Sequence, residues 1–188
     1  MRITARVLST LFLTVLIAGC ANVAQAPAQS GRLGLQLSPA SLGATISVQQ
    51  HLTVERDSTP DKSDQLDVAL EIDPQQLNMV GLAFGQRVLT INYDGQHVKS
   101  WRHLMLPAQV KAEDVLEDMQ LTLWPLEAIR QALPTGWKIE QQGRRRTLSL
   151  NNEPVMVINY SDDLRWSGKV ILTNLRYHYR LTVESEPL

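Results

Sequence analysis

The chain has 188 residues, with 18 basic and 19 acidic side chains and a net charge of −1. It lacks the basic excess of nucleic-acid-binding domains, so we expect no nucleic-acid partner. Its single cysteine excludes an intramolecular disulfide framework, and packing alone has to stabilise a domain of this size.

The first 19 residues have the three parts of a secretory signal peptide. Arg2 and Arg6 supply the positive start, an apolar run covers residues 7–17, and the small residues Ala18 and Gly19 follow. This run is too short to span a bilayer as a helix, which needs ~20 apolar residues. We therefore predict that residues 1–19 are removed as a signal peptide.

Cys20 directly follows this segment, and Ile17-Ala18-Gly19-Cys20 resembles the lipobox of bacterial lipoproteins, whose cysteine thiol is acylated. The alternative is an ordinary cleaved signal with an incidental cysteine. Acylation would anchor the protein, because each buried methylene contributes about 0.8 kcal/mol. The next residue is Ala21 rather than aspartate, and the sorting rule of these lipoproteins implies the periplasmic face of the outer membrane.

Residues 20–32 are predicted to be the lipidated cysteine and a flexible tether, followed by a single β domain over 33–188. The first part of this domain alternates apolar and polar residues with a period of two, which indicates half-buried strands. Strands are predicted over 45–56, 64–73, 77–82, 87–93 and 98–101. Asp94-Gly95 is typical of a hairpin turn, so we expect an antiparallel meander.

The middle of the chain changes to helical periodicity. Over residues 112–123 the apolar side chains recur at helical spacing: Val115, Leu116, Met119 and Leu123. The acidic side chains of the segment are predicted to face water: Glu113, Asp114, Glu117 and Asp118. Pro125 fits the first turn of a second short helix, which Pro134-Thr135-Gly136 ends.

After Gly136 the period returns to two. Strands are predicted over 137–141, 146–150, 154–160, 169–174 and 176–183. A meander of about nine or ten strands normally curls toward a barrel. We therefore predict a mainly β fold with a short helical insertion. The sheet is expected to be a curved antiparallel, incompletely closed β-barrel with the helices as a lid.

This order of elements resembles LolA and LolB, the carrier and the outer-membrane receptor of bacterial lipoproteins. Residues 85–95 resemble their glycine, strand and turn, and residues 119–126 resemble their lid of helix, proline and helix. A closer resemblance, over 33–186, is to a little-characterised family of LolB-like lipoproteins often encoded beside aryl-polyene or fatty-acid-type biosynthetic clusters. The segments that carry it are 35–43, 70–73, 94–95, 123–125 and 177–181.

The resemblance implies an apolar cavity between the lid and the sheet that holds acyl chains. From the lid we expect Val115, Leu116, Met119, Leu123, Leu126 and Ile129 to line it, and from the sheet Val68, Leu70, Leu89 and Ile91. The alternative is that these residues form an ordinary packed core. An apolar ligand there would need few polar partners, because burial of apolar area dominates its affinity.

Two further features suggest contact with a membrane. Leu82 and Phe84 lie at a predicted hairpin tip, and the resemblance implies a membrane-contact loop there; the alternative is that both fold inward. Arg144-Arg145-Arg146 is the only run of three basic residues. We expect it either to contact anionic head groups, at about 1 kcal/mol for each contact, or to form a solvated face.

The sequence predicts no catalytic site. The histidines at 51, 97, 103 and 178 lack the spacing of a zinc site, and neither a nucleophile elbow nor a phosphate loop is present. Asp162-Asp163 is typical of a solvated turn. We therefore expect no enzyme activity, no cofactor and no metal.

The leading hypothesis is an outer-membrane lipoprotein that binds or receives a hydrophobic cargo in the periplasm. The cargo would be a lipid, the acyl chains of a lipoprotein or an aryl-polyene lipid. Besides the membrane and this ligand, a periplasmic carrier or an inner-membrane exporter is the expected partner of a monomeric protein. The alternatives are an accessory lipoprotein of an envelope transport or biosynthetic complex, without a cavity, and an envelope hydrolase.

Overall fold

The computed structural model describes residues 32–59 and 61–187. The predicted signal peptide, Cys20 and the tether up to Gly31 lie outside the described residues. The described strands are β1 Ile46–Arg56, β2 Ser63–Ile72, β3 Leu77–Ala83, β4 Gln86–Tyr93, β5 Val98–Arg102, β6 Trp137–Gln142, β7 Arg145–Leu150, β8 Glu153–Tyr160, β9 Gly168–Asn174 and β10 Tyr179–Pro187. The helices are α1 Ala112–Leu123 and α2 Leu126–Ala132, and a 3₁₀ helix covers Pro39–Leu42.

All of these strands form one antiparallel sheet in the order β5-β4-β3-β2-β1-β10-β9-β8-β7-β6. The first strand pairs with the last, from Val48–Pro187 to Arg56–Tyr179, and so joins two meanders at the centre of the sheet. β5 and β6 are the two edges, and the sheet is curved but not closed. The predicted mainly β fold, with an incompletely closed antiparallel sheet and a helical insertion, is confirmed.

The alternation seen in the sequence places one apolar face of the sheet toward the interior. Across four neighbouring strands the register sets Val48, Leu70, Met79 and Ile91 side by side. Each of these side chains is at most 2% exposed. The core of the domain therefore lies on this face.

The helices, which lie between the edge strands β5 and β6 in the chain, pack against the apolar face of the sheet. Leu116 and Leu121 of α1 and Ile129 of α2 belong to the same apolar cluster as the strands and are at most 1% exposed. Across residues 32–59 and 61–187, no helix has the length and apolar character needed to cross a membrane.

An extended segment, residues Arg32–Ser38, runs beside α1, and we call it the N-terminal strap. Leu37 is fixed by the side-chain amide of Gln120, which accepts a hydrogen bond from its N–H and donates one to its carbonyl, both at 3.3 Å. The strap covers the side of α1 that carries Glu117 and Asp118. The prediction that these two face water is therefore wrong, since they are only 3% and 9% exposed.

The last strand begins at Tyr179 rather than at the predicted residue 176. The side-chain oxygen of Asn174 accepts hydrogen bonds from the backbone N–H groups of Arg176 and Tyr177, at 3.1 and 2.9 Å. His178 then adopts a φ of 56°. This asparagine-centred turn interrupts the alternation, so Tyr177 lies in the turn and not in the strand.

Candidate functional site

The ten residues predicted to line a cavity lie in or against one apolar cluster. Seven of them are at most 3% exposed: Val68, Leu70, Leu89, Ile91, Leu116, Leu123 and Ile129. Side chains this little exposed border no space that water can reach, so these seven are packed core. Val115, Met119 and Leu126 are partly buried and pack against the cluster.

Solvent reaches the apolar face of the sheet at its central strands. Leu52 of β1 lies opposite Leu66 of β2 and Val183 of β10, and Leu181 is the next inward residue of β10. All four are partly buried, and we call them the central apolar patch. The sequence alternation predicts that each faces inward. The alternation does not predict that the four side chains lie together, because β1 and β10 are far apart in the sequence.

Two carboxylates of α1 are held by the strap. Asp118 Oδ1 accepts a hydrogen bond from Arg32 Nη1 at 2.6 Å, and its other oxygen accepts one from the Tyr179 hydroxyl. Glu117 Oε2 accepts a hydrogen bond from the Gly34 N–H at 2.6 Å. Burial raises the pKa of both carboxyl groups, and the charge of Arg32 opposes that rise. Arg32 is therefore the counterion of two buried acids.

A second polar cluster holds the carbonyl end of α1, and we call Arg146, Tyr160 and Arg165 the helix clamp. Arg146 Nη1 lies 2.6 Å from the Leu121 carbonyl oxygen. The Tyr160 hydroxyl donates to the Thr122 carbonyl at 2.7 Å, and Arg165 Nε donates to the next carbonyl at 2.6 Å. The last carbonyls of a helix have no partner within it, and its negative end favours cations. The clamp therefore supplies both hydrogen-bond donors for these carbonyls and positive charge beside the negative end of the helix.

Tyr160 makes the stability of the fold depend on alkaline pH. Burial raises its pKa from 10.0 to about 12. The resulting stabilisation is complete below pH 10 and is lost as the pH rises through about 12, because the unfolded chain loses this proton first. This difference between the folded and unfolded pKa corresponds to roughly 3 kcal/mol.

We therefore expect the free energy of unfolding to fall between about pH 10 and pH 12, and to fall less steeply in Tyr160→Phe. Urea titrations at several pH values measure both slopes. The phenylalanine variant keeps the other buried tyrosines, Tyr93 and Tyr179, so their contribution is common to both proteins. Equal slopes would contradict a buried phenol at this position.

The basic run does not form one surface, because successive side chains of a strand point to opposite faces. Arg146 is 1% exposed within the helix clamp, so the prediction that it contacts anionic head groups is wrong. Arg144 is exposed, and its Nε donates to Asp163 Oδ1 at 2.9 Å. Arg145 is also exposed. The remaining candidates for head-group contact are these two arginines.

Large apolar side chains are exposed at one end of the sheet. Phe84, in the turn between β3 and β4, is 92% exposed, and Leu104, in the loop after β5, is 93% exposed. The His103 N–H donates to the Val88 carbonyl at 2.8 Å, which brings this loop beside the start of β4. We call the exposed group the apolar edge: Leu82, Phe84, Trp101, Leu104 and Met105.

The predicted hairpin tip therefore points toward solvent, and the alternative in which Leu82 and Phe84 fold inward is wrong. Phe84 also has a φ of 52°, a left-handed conformation that bulky side chains rarely adopt. Strained positions of this kind concentrate at functional sites. The sequence did not predict that Leu104 and Met105 are exposed beside this tip, because they lie in an irregular loop without periodicity.

The histidines do not converge on a site. His51 lies 2.7 Å from Asp67, and His97 lies 3.4 Å from Asp94, in two different exposed pairs. Over the described part of the chain, no group of three or more His, Cys, Asp or Glu side chains is arranged to hold a metal ion. These contacts are local to hairpins and turns.

Comparisons with known proteins concern the whole β domain. The chain is similar to the crystal structure of a LolA superfamily protein from Nitrosomonas europaea, with 10% sequence identity and a TM-score of 0.38; the match covers 83% of this chain and 92% of that chain. No curated protein matches the chain. A family described as "Protein of unknown function (DUF3261)" matches residues 47–187, which span β1 to β10. The chain therefore belongs to the DUF3261 family.

Proposed function

We propose that this protein is a non-enzymatic outer-membrane lipoprotein that binds or receives a hydrophobic cargo on the periplasmic side. The apolar edge carries the proposal, since Phe84 and Leu104 are 92% and 93% exposed. The edge and the central apolar patch lie on opposite faces at the same end of the sheet: Leu66 of the patch precedes Asp67, whose strand partner is Leu82 of the edge.

The proposed anchor is Cys20, on the strength of its lipobox-like context. A tether of residues 20–32 would keep the domain near one membrane, which suits a receptor better than a free carrier. The cargo is a lipid, the acyl chains of a lipoprotein or an aryl-polyene lipid. A periplasmic carrier or an inner-membrane exporter would deliver it to a monomeric protein.

Replacing the apolar edge should weaken binding to membranes. Transfer of one large apolar side chain out of water contributes about 1.5–3 kcal/mol, so Phe84→Ser and Leu104→Ser are each expected to lower the affinity for phospholipid vesicles about ten- to a hundredfold. The measurement is vesicle flotation of a Cys20→Ser chain, in which the acyl anchor does not mask the effect.

The matched control is Leu164→Ser, which removes a 56% exposed leucine from the turn between β8 and β9. It should leave vesicle affinity unchanged. Equal affinities of all three variants and the parent would show that the apolar edge does not contact membranes.

A second candidate function is an accessory lipoprotein with a solid interior, and the packing of seven predicted cavity residues favours it. Mass spectrometry of lipids retained after gentle purification separates the two. The proposed function predicts about one retained amphiphile for each chain. Recovery of a stoichiometric partner protein without lipid would support the accessory function instead.

A further inference from the structure

The strap follows α1 along most of its length and in the same direction. Arg32 at its start forms ion pairs with Asp118 and, at 3.7 Å, with Asp114. The Ser38 carbonyl at its end accepts a hydrogen bond from Trp124 Nε1 at 3.1 Å. The extended chain from Arg32 to Ser38 spans about 20 Å, and the helix from Asp114 to Trp124 spans about 15 Å, so the strap is long enough to follow it.

The strap is held by side chains of α1 and, at its start, by Tyr179 of β10, whose hydroxyl accepts a hydrogen bond from Arg32 Nη2 at 3.1 Å. Besides the Asp114 and Trp124 contacts, Arg32, Gly34 and Leu37 form hydrogen bonds with the side chains of Asp118, Glu117 and Gln120, respectively. Within the described residues, no backbone hydrogen bond joins residues 32–37 to a strand. The strap can therefore leave the domain without opening any strand pair.

The strap has the chemistry of an amphiphile. Leu33, Leu35 and Leu37 alternate along it, and the latter two are 5% and 7% exposed in the apolar cluster of the interior. Arg32 places a cation at one end of this apolar row. The three leucine side chains together hold about twelve carbon atoms, so an alkyl chain of about twelve to sixteen carbons replaces their buried area.

We propose that the strap is a displaceable plug, and that the ligand it gives way to is an amphiphile with a cationic end group. The proposal rests on the proposed function, in which the interior accepts a hydrophobic molecule. Departure of Arg32 uncovers Glu117 and Asp118, which an ammonium group would neutralise again. An anionic end group would instead add negative charge beside two buried acids.

The test uses the Cys20→Ser chain with two probes of equal chain length, dodecyltrimethylammonium and dodecanoate, both below their micelle concentrations. Hydrogen exchange at the Gly34 and Leu37 amides reports the strap, and calorimetry reports affinity. A strap-release variant, Arg32→Ala with Gln120→Ala, loses contacts at both ends of the strap. Glu127→Ala is the control, since it removes an exposed ion pair on α2.

We expect the ammonium probe to accelerate exchange at both amides at least tenfold and to bind at least tenfold more tightly than dodecanoate. The strap-release variant should bind it about tenfold more tightly than the parent and the control. In Asp118→Asn the preference for the ammonium head should fall.

Different failures have different meanings. If a probe binds while the Gly34 and Leu37 amides stay protected, the plug is overturned and the proposed function stands. Tighter binding of dodecanoate overturns the cationic end group. If neither probe binds the parent or the strap-release variant, this inference fails, whereas the proposed function fails only if no lipid is retained on purification. Should the strap-release variant not fold, hydrogen exchange of the parent with each probe still decides the matter.

Discussion

Replacing Trp124 by alanine is expected to lower the free energy of unfolding by about 4 kcal/mol, because removal of a buried tryptophan leaves a large cavity. Trp124 is 0% exposed at the end of α1. Its ring N–H donates to the Ser38 carbonyl at 3.1 Å and to Ser41 Oγ at 3.0 Å. One side chain therefore joins the end of α1, the strap and the 3₁₀ helix, and urea unfolding measures its contribution.

Two further variants separate the loss of the hydrogen-bond donor from the loss of the buried ring. Trp124→Phe keeps a six-membered aromatic ring but loses the N–H donor and three buried ring atoms, so we expect an intermediate loss of about 2–3 kcal/mol. Trp101→Ala removes a 43% exposed tryptophan that stacks against Arg87 and should cost about 1 kcal/mol or less. If Trp124→Ala unfolds at the same urea concentration as Trp101→Ala, Trp124 does not hold these elements together.

The second large effect is expected for Arg146→Met, at about 3 kcal/mol. Arg146 donates from Nη1 to the Leu121 and Trp124 carbonyls and from Nε and Nη2 to Gln141 Oε1. Methionine fills a similar volume but leaves the two buried carbonyls without this donor, and each such group costs about 1–3 kcal/mol. Burial lowers the pKa of Arg146, which means that its buried charge is itself unfavourable. Removing that charge therefore offsets part of the lost hydrogen-bond energy.

The neighbouring Arg145→Met is the matched control, because Arg145 is exposed on the same strand. Its unfolding free energy should change by less than about 0.5 kcal/mol. Arg146→Lys should be intermediate, since an ammonium group carries the charge without the planar fork of donors. Equal stability of the two methionine variants would mean that the clamp does not stabilise the end of α1.

Periodicity predicted the secondary structure closely, because the central part of most elements buries one face. The helix predicted over 112–123 is α1, and the alternation over 64–73 is β2. Periodicity was misleading where another part of the chain covers a polar face. Glu117 and Asp118 have the spacing of a wet helix face, and the strap that covers them lies about eighty residues earlier.

The candidate site was less predictable, because its parts depend on contacts between distant segments. Nothing in a run of three arginines indicates that Arg146 is the buried one. Its side chain is buried because it donates hydrogen bonds to carbonyls at the end of α1, 22 to 25 residues earlier in the sequence. The hairpin tip was predicted because Leu82 and Phe84 flank a turn. Leu104 and Met105 join the apolar edge because the His103 N–H donates to the Val88 carbonyl of β4, and no sequence pattern predicts this contact.

The pairing of β1 with β10 has a consequence for how the chain folds. The strands from β1 to β5 form from neighbours in the sequence, as do those from β6 to β10, so both halves need only local contacts. The seam between them joins residues such as Leu52 and Val183, and it cannot close until the last strand has been synthesised. Until then β1 is an uncovered edge with a free row of backbone donors and acceptors, so incomplete chains are exposed to aggregation through this strand.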